Sequence, residues 1–113
     1  MNFSGGSVSW ETLTYGEIDF KKGTKRKERE EIIKKVKDAL ELPSNRNFSC
    51  GAYNENKNKE MFWFICVNWS SHTDEEKIKN LLKELKGKIE DASITLHYLD
   101  PEDNGEIFTL EDV

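Results

Sequence analysis

The chain has 113 residues, enough for one hydrophobic core and too few for two, so a single domain is expected over residues 1–113, with a loose Gly- and Ser-rich lead-in at 1–7 and a core from about 8 to 111. Its 35% hydrophobic and 35% charged residues make it polar for a globular protein, yet 11% aromatics exceed what a disordered chain carries. The longest apolar run, residues 61–67, is far below the roughly twenty residues that span a bilayer, and residues 1–6 lack the basic start and apolar stretch of an export signal; a cytoplasmic protein without membrane contact is expected.

The net charge of −5 is unevenly distributed. Residues 21–46 hold ten Lys or Arg against five Asp or Glu. Beyond Lys88 there is no Lys or Arg, only eight acids: Glu90, Asp91, Asp100, Glu102, Asp103, Glu106, Glu111 and Asp112.

Residues 8–20 are β-formers, but the apolar positions change parity from Val8 and Trp10 to Leu13 and Tyr15 and again to Ile18 and Phe20. A strand that switches faces needs a break, and Gly16 is the natural place for one. Lys21-Lys22-Gly23-Thr24 reads as a turn, with Thr24 as N-cap of a helix running to about Leu42 and ended by Pro43-Ser44-Asn45. Ile32, Ile33, Val36, Ala39 and Leu40 fall on one face of that helix, and Lys25, Arg26 and Lys27 crowd its start, where the helix dipole disfavours cations. Residues 48–54 and 61–69 form a hairpin around the polar turn 55–59, and the second strand is apolar on both faces, as a central strand would be. Thr73 and Glu76 make a capping box for a second helix striped by Ile78, Leu81, Leu82, Leu85 and Ile89. Ile94, Leu96 and Tyr98 then alternate with Thr95 and His97 as a fourth strand, and a turn at 100–105 leads to a short strand at 107–110.

The order β-α-β-β-α-β, spanning about residues 13–110, resembles the ferredoxin-like fold. That resemblance implies an α+β domain with two helices on one face of an antiparallel sheet, here with an extra C-terminal strand. It hosts many unrelated activities and implies none. The strong second helix and the third strand are read as leaving Phe62, Phe64 and His97 on the sheet face away from the helices.

Catalytic signatures are lacking: there is no Gly-rich phosphate loop, nucleophile elbow or His-Glu metal helix, so no enzyme, cofactor or metal is expected. Cys50 and Cys66, on neighbouring strands, are read as buried thiols rather than a disulfide, and with His72 and His97 they match no zinc spacing. Asp100, Glu102, Asn104, Glu106 and Glu111 approach the offsets of a calcium loop, but Glu102 replaces the usual Asp or Asn and no helix flanks the segment. A small enzyme using Cys50, Cys66 or the carboxylates is the weakest reading.

Two binding readings remain. The preferred one is a non-enzymatic protein that neutralises a protein partner, a nucleic-acid-binding effector or a toxin, by docking an acidic surface on its basic groove. Anti-CRISPR and toxin-immunity proteins are analogous in size and charge. The contact residues would be Asp100, Glu102, Asp103, Glu106, Glu111 and Asp112, with Trp69 and Trp10 as apolar anchors. The alternative is single-stranded nucleic-acid binding through Phe62 and Phe64 with Lys25, Arg26 and Lys27. Phe62-x-Phe64-Ile65 resembles the third-strand motif of RNA-recognition motifs, which stack bases there, although Glu60 stands where that motif has a cation and Met61 and Trp63 fill its small-residue positions. A net acidic chain repels phosphates outside its basic segment. An open sheet face would also offer a second copy of the chain a surface for homodimer formation.

Overall fold

The computed structural model of the chain describes residues 11–41, 48–54, 60–69, 74–98 and 105–113, with 48–54, 68 and 69 described by backbone alone. In chain order the elements are β1 (Glu11–Asp19), α1 (Arg26–Ala39), β2 (Phe48–Asn54), β3 (Glu60–Trp69), α2 (Glu75–Leu85), β4 (Asp91–Tyr98) and β5 (Glu106–Thr109), followed by the 3-10 turn Leu110–Asp112. The fold is α+β: four long strands and the short β5 form one sheet in the order β2-β3-β1-β4-β5, antiparallel at every pairing. Among the described residues no helix is long and apolar enough to cross a membrane.

The helices form where the apolar spacing places them, but their starts differ from expectation. Lys25, not Thr24, holds the N-cap position of α1, and its side chain makes no capping bond. The Thr24 hydroxyl instead donates to the Lys21 carbonyl at 2.6 Å, closing the preceding turn. Arg29 anchors the start of the helix by donating to the Thr24 carbonyl and pairing with Glu60 of β3, each at 2.5 Å. At the other end Glu41 takes a left-handed φ of 51°, which stops the helix before Pro43 is reached. Helix α2 begins one residue later than the sequence suggests: the Asp74 carboxylate accepts from the Lys77 amide at 2.9 Å, and Thr73 lies outside the described residues.

Ile32, Val36 and Leu40 of α1 and Ile78, Leu81, Leu82 and Leu85 of α2 are buried in one cluster with Ile18, Phe20, Phe62, Phe64, Cys66, Ile89, Ala92, Ile94, Leu96 and Phe108. Both helices therefore cover the same side of the sheet, the side to which the even-numbered residues of β1, β3 and β4 point. Lys35 of α1 pairs with Glu84 of α2 across the helix surface and holds the Glu84 carboxyl below its ordinary range by hydrogen bond and charge.

Strand β1 has no break. It pairs with β3 from Glu11↔Trp69 to Asp19↔Met61 and with β4 from Thr12↔Tyr98 to Asp19↔Asp91, one residue at a time on both sides. The parity change has another cause: both faces of the strand carry apolar residues, while Thr12 and Thr14 occupy core positions. Gly16 is needed for close approach, not for a bulge. A Cβ there would sit 2.3 Å from the Ser93 carbonyl oxygen and 2.9 Å from the Ile94 Cα, both backbone atoms.

Two substitutions two residues apart should therefore act in opposite directions. Gly16→Ala is expected to destabilise by about 2–3 kcal/mol, since backbone must shift to admit one methyl group. The Thr14 hydroxyl is fully buried and accepts or donates no hydrogen bond, so Thr14→Val should stabilise by up to about 1 kcal/mol. Urea denaturation of both variants checks this; equal stability of Gly16→Ala and the parent would contradict the close approach of β1 and β4.

Candidate functional site

The helices leave the other side of the sheet uncovered, and the odd-numbered residues of β1, β3, β4 and β5 face it. Register assembles them into rows across the strands. One row runs Ile65, Tyr15, Thr95, Ile107 from β3 through β1 and β4 to β5; beside it lies Trp63, Glu17, Ser93, Thr109. Four strands at the usual spacing make each row about 14 Å wide. Tyr15, Trp63, Ile65 and Ile107 are 38%, 39%, 42% and 62% exposed and are the large apolar side chains the described surface presents. Met61, Leu13 and Val67 extend the patch along the strands and are partly covered.

Two contacts fix the end of this face near β5. The Tyr15 and His97 rings stack with centroids 6.0 Å apart and planes 17° from parallel. The His97 ring also lies against Gly105, whose missing side chain leaves its space: a Cβ there would meet ring carbon Cε1 at 2.1 Å. Between the rows, Tyr15, Gly16, Glu17, Phe64, Ser93 and Thr95 line a shallow hollow of about 260 Å³. Glu17, exposed beside it, has no hydrogen-bond or ion-pair partner among the described residues. Its companions on the face are the exposed acids Glu11 and Asp91, and β1, β3, β4 and β5 contain no Lys or Arg.

Phe62 and Phe64, read from the sequence as stacking residues on this open face, are on the opposite one. They are 2% and 1% exposed, packed under the helices. The pairings Ile18↔Phe62 and Gly16↔Phe64 put them on the core side of β1, and Trp63 and Ile65 take the solvent side. Nor do they share a surface with Lys25, Arg26 and Lys27, which sit at the start of α1 beyond the core; Arg26 there pairs with Glu30 at 3.1 Å in full solvent. His97 does lie on the open face, as expected.

Of the acidic contact residues expected from the sequence, Asp100, Glu102 and Asp103 lie outside the described residues, as does Trp10, and Trp69 is described only as the β3 residue opposite Glu11. Glu106 and Glu111 are exposed. Asp112 acts locally, within its own turn, where its carboxylate accepts from the Thr109 amide at 2.7 Å while the Thr109 hydroxyl accepts from the Glu111 amide at 3.3 Å. Cations of α2 and its C-cap come beside this acidic segment. Lys86 donates to the Val113 carbonyl at 2.5 Å, and the Lys79 ammonium lies 5.9 Å from the centre of the Phe108 ring. Lys79 is held above its ordinary pKa first by its bond to Glu75 and then, against some loss of hydration, by the charges of Glu106 and Asp112. The segment that carries no cation in sequence is thus supplied with two by the fold.

Cys66 is a buried thiol, and register sets Cys50 opposite Phe64 rather than opposite Cys66. His72 and residues 100–104 of the segment with calcium-loop offsets lie outside the described residues, while Glu106 and Glu111 of that segment are exposed. Among those described, no group of three or more His, Cys, Asp and Glu is gathered as a metal ion would require.

Exposure on the two sides of β3 gives a direct test. Phe64→Ala should cost about 3–5 kcal/mol, a core cavity, whereas Trp63→Ala, which removes a half-exposed ring, should cost about 1 kcal/mol. Comparable losses in urea denaturation would mean that the faces of β3 are not divided in this way. Compared with protein-family models, curated proteins and solved structures, the chain matches none, and its functional reading rests on its own residues.

Proposed function

We propose that the chain is a non-enzymatic protein-binding module, a ferredoxin-like βαββαβ core with β5 added beside β4, that docks a protein partner on its open sheet face and neutralises it. One observation carries the reading: Tyr15, Trp63, Ile65 and Ile107 stand together, exposed, on one side of the sheet, with Glu17 among them, Glu11 and Asp91 at the ends of the strands, and no Lys or Arg in those strands. Contiguous exposed apolar side chains with a polar rim are the usual mark of a docking surface, and Trp and Tyr are the residues on which binding energy concentrates.

The sign of the rim selects among occupants. A second copy stacked on the same face would set acids against acids or apolar groups, with no described cation to offset them. Phosphates of a nucleic acid would meet the same repulsion. A partner with a basic rim, such as the groove of a nucleic-acid-binding effector or a toxin, meets attraction instead. The acidic segment at the C-terminal end, with Glu106 and Glu111 exposed, then acts as an extension of this surface that speeds encounter rather than as its centre.

Side-by-side capture from host extract tests the reading. Wild-type protein is compared with Ile65→Ser/Ile107→Ser, which alters only exposed positions, and with Asp100→Lys/Glu102→Lys/Asp103→Lys. A partner should be retained by wild type, weakened about 100-fold by the face variant and weakened only several-fold, with a smaller salt dependence, by charge reversal. Retention by the face variant with loss on charge reversal would move the docking surface to the acidic segment. Tight binding of single-stranded oligonucleotides at low salt, abolished by Trp63→Ser, would replace the protein partner with a nucleic acid.

A further inference from the structure

Resting on the reading of the open face as a docking surface, we infer that the hollow beside Glu17 is a slot for an arginine side chain, so that the partner presents an arginine flanked by apolar residues.

Glu17 lies mid-strand on the central β1, where its cross-strand neighbours are Trp63 on one side and Ser93 on the other. A cation opposite a carboxylate stabilises a sheet, but here neither cross-strand neighbour is a cation, and Glu17 has no hydrogen-bond or ion-pair partner among the described residues. The hollow of about 260 Å³ is lined by Glu17 with Tyr15, Ser93 and Thr95, and Gly16 and Phe64 complete its wall. These groups match the requirements of a guanidinium. Its planar fork pairs with one carboxylate through two parallel N–H bonds, its remaining N–H groups need neutral acceptors, and its flat face stacks on an aromatic ring. Glu17 supplies the carboxylate, the hydroxyls of Ser93 and of the nearly buried Thr95 the neutral acceptors, and the ring comes from Tyr15 in the lining or from Trp63, opposite Glu17 on β3. A lysine ammonium is compact and strongly hydrated, and would satisfy the charge while leaving the flat contact unused. The half-exposed Ile65 and Ile107 at the two ends of the adjoining row supply the apolar ground on which the residues flanking the arginine would rest.

The test uses ¹⁵N-labelled full-length protein and the capped pentapeptide Thr-Val-Arg-Val-Thr, with its lysine and citrulline counterparts, titrated to about 5 mM, the range in which so small a peptide binds. The arginine peptide should shift the Tyr15, Glu17, Ser93 and Thr95 amides and the Trp63 indole. Citrulline, equal in shape and uncharged, should bind about tenfold more weakly, and lysine several-fold more weakly. Glu17→Gln should lower the affinity for arginine to that for citrulline, while Glu90→Gln, an exposed acid of the α2–β4 turn, should change nothing. Equal shifts with all three peptides, or an unchanged response in Glu17→Gln, would overturn the slot but leave the face as a docking surface if Ile65→Ser/Ile107→Ser still abolished binding. Shifts confined to other acids, or no shifts at all, would overturn the slot. If partner capture were also indifferent to the face variant, the docking reading itself would fall.

Discussion

At Gly16 the backbone of β1 lies so close to Ser93 and Ile94 of β4 that no side chain fits between them. The same residue is paired with Phe64 of β3 on its other side. Because side chains alternate with a period of two, fixing one residue of β1 against both neighbours fixes which residues of three strands point at the helices and which point away. The core position of Phe64 and Ile94, the solvent position of Trp63 and Tyr15, and the location of the hollow beside Glu17 all follow from that one register. A slip of β1 by a single residue would place Glu17 under the helices and Ile18 in water.

The two sides of the sheet are held by different forces. On the helix side, Phe62, Phe64, Phe108 and the leucines of α2 are removed from water almost completely, which supplies most of the driving force for folding. The ion pairs around that core add less. Lys35–Glu84 and Lys79–Glu75 are open to solvent and salt, and pairs of that kind contribute little. Arg29–Glu60 is the best sheltered, and with the Arg29 bond to Thr24 it ties the first turn of α1 to β3, doing for that turn what its uncapped N-terminus does not. On the open side no second layer exists among the described residues, and aromatic contacts such as Tyr15 on His97 brace the surface without covering it.

This division explains what the sequence revealed. The helices were legible because Ile78, Leu81, Leu82 and Leu85 repeat with helical spacing beside a polar face, and nothing else competes for that pattern. The element order β-α-β-β-α-β was legible because β-forming runs bounded by polar turns alternate with those helical stripes. The faces of β3 were not, because Met61, Trp63, Ile65 and Val67 are as apolar as Phe62, Phe64 and Cys66, and composition alone gives no sign of which row the helices take. In β1 the misleading residues were Thr12 and Thr14, polar in type yet buried, which made a continuous strand look broken. The acidic C-terminal stretch misled in a third way. Its charge is unbalanced along the chain, but Lys79 of α2 and the C-cap Lys86 come alongside it in space. The residues proposed for docking, Tyr15, Glu17 and Trp63, had one available signal: a carboxylate whose cross-strand neighbours are an aromatic and a serine and offer no cation.

That carboxylate bears on how an exposed apolar face is kept selective. With no partner present, a solvated Glu17 in the middle of the patch opposes the stacking of one copy on another, since contact would strip water from two acids that have no cation to accept. With a partner present, the same group must be matched. A purely apolar surface laid over it would bury a charge unpaired, at a cost of several kcal/mol, while a guanidinium converts that cost into paired hydrogen bonds. On the proposed docking reading, discrimination comes as much from what Glu17 rejects as from what it attracts, and Tyr15, Trp63, Ile65 and Ile107 provide binding area that is productive only when the charge is answered. A face of this composition remains in water until it meets a surface that is both apolar and cationic at the right point.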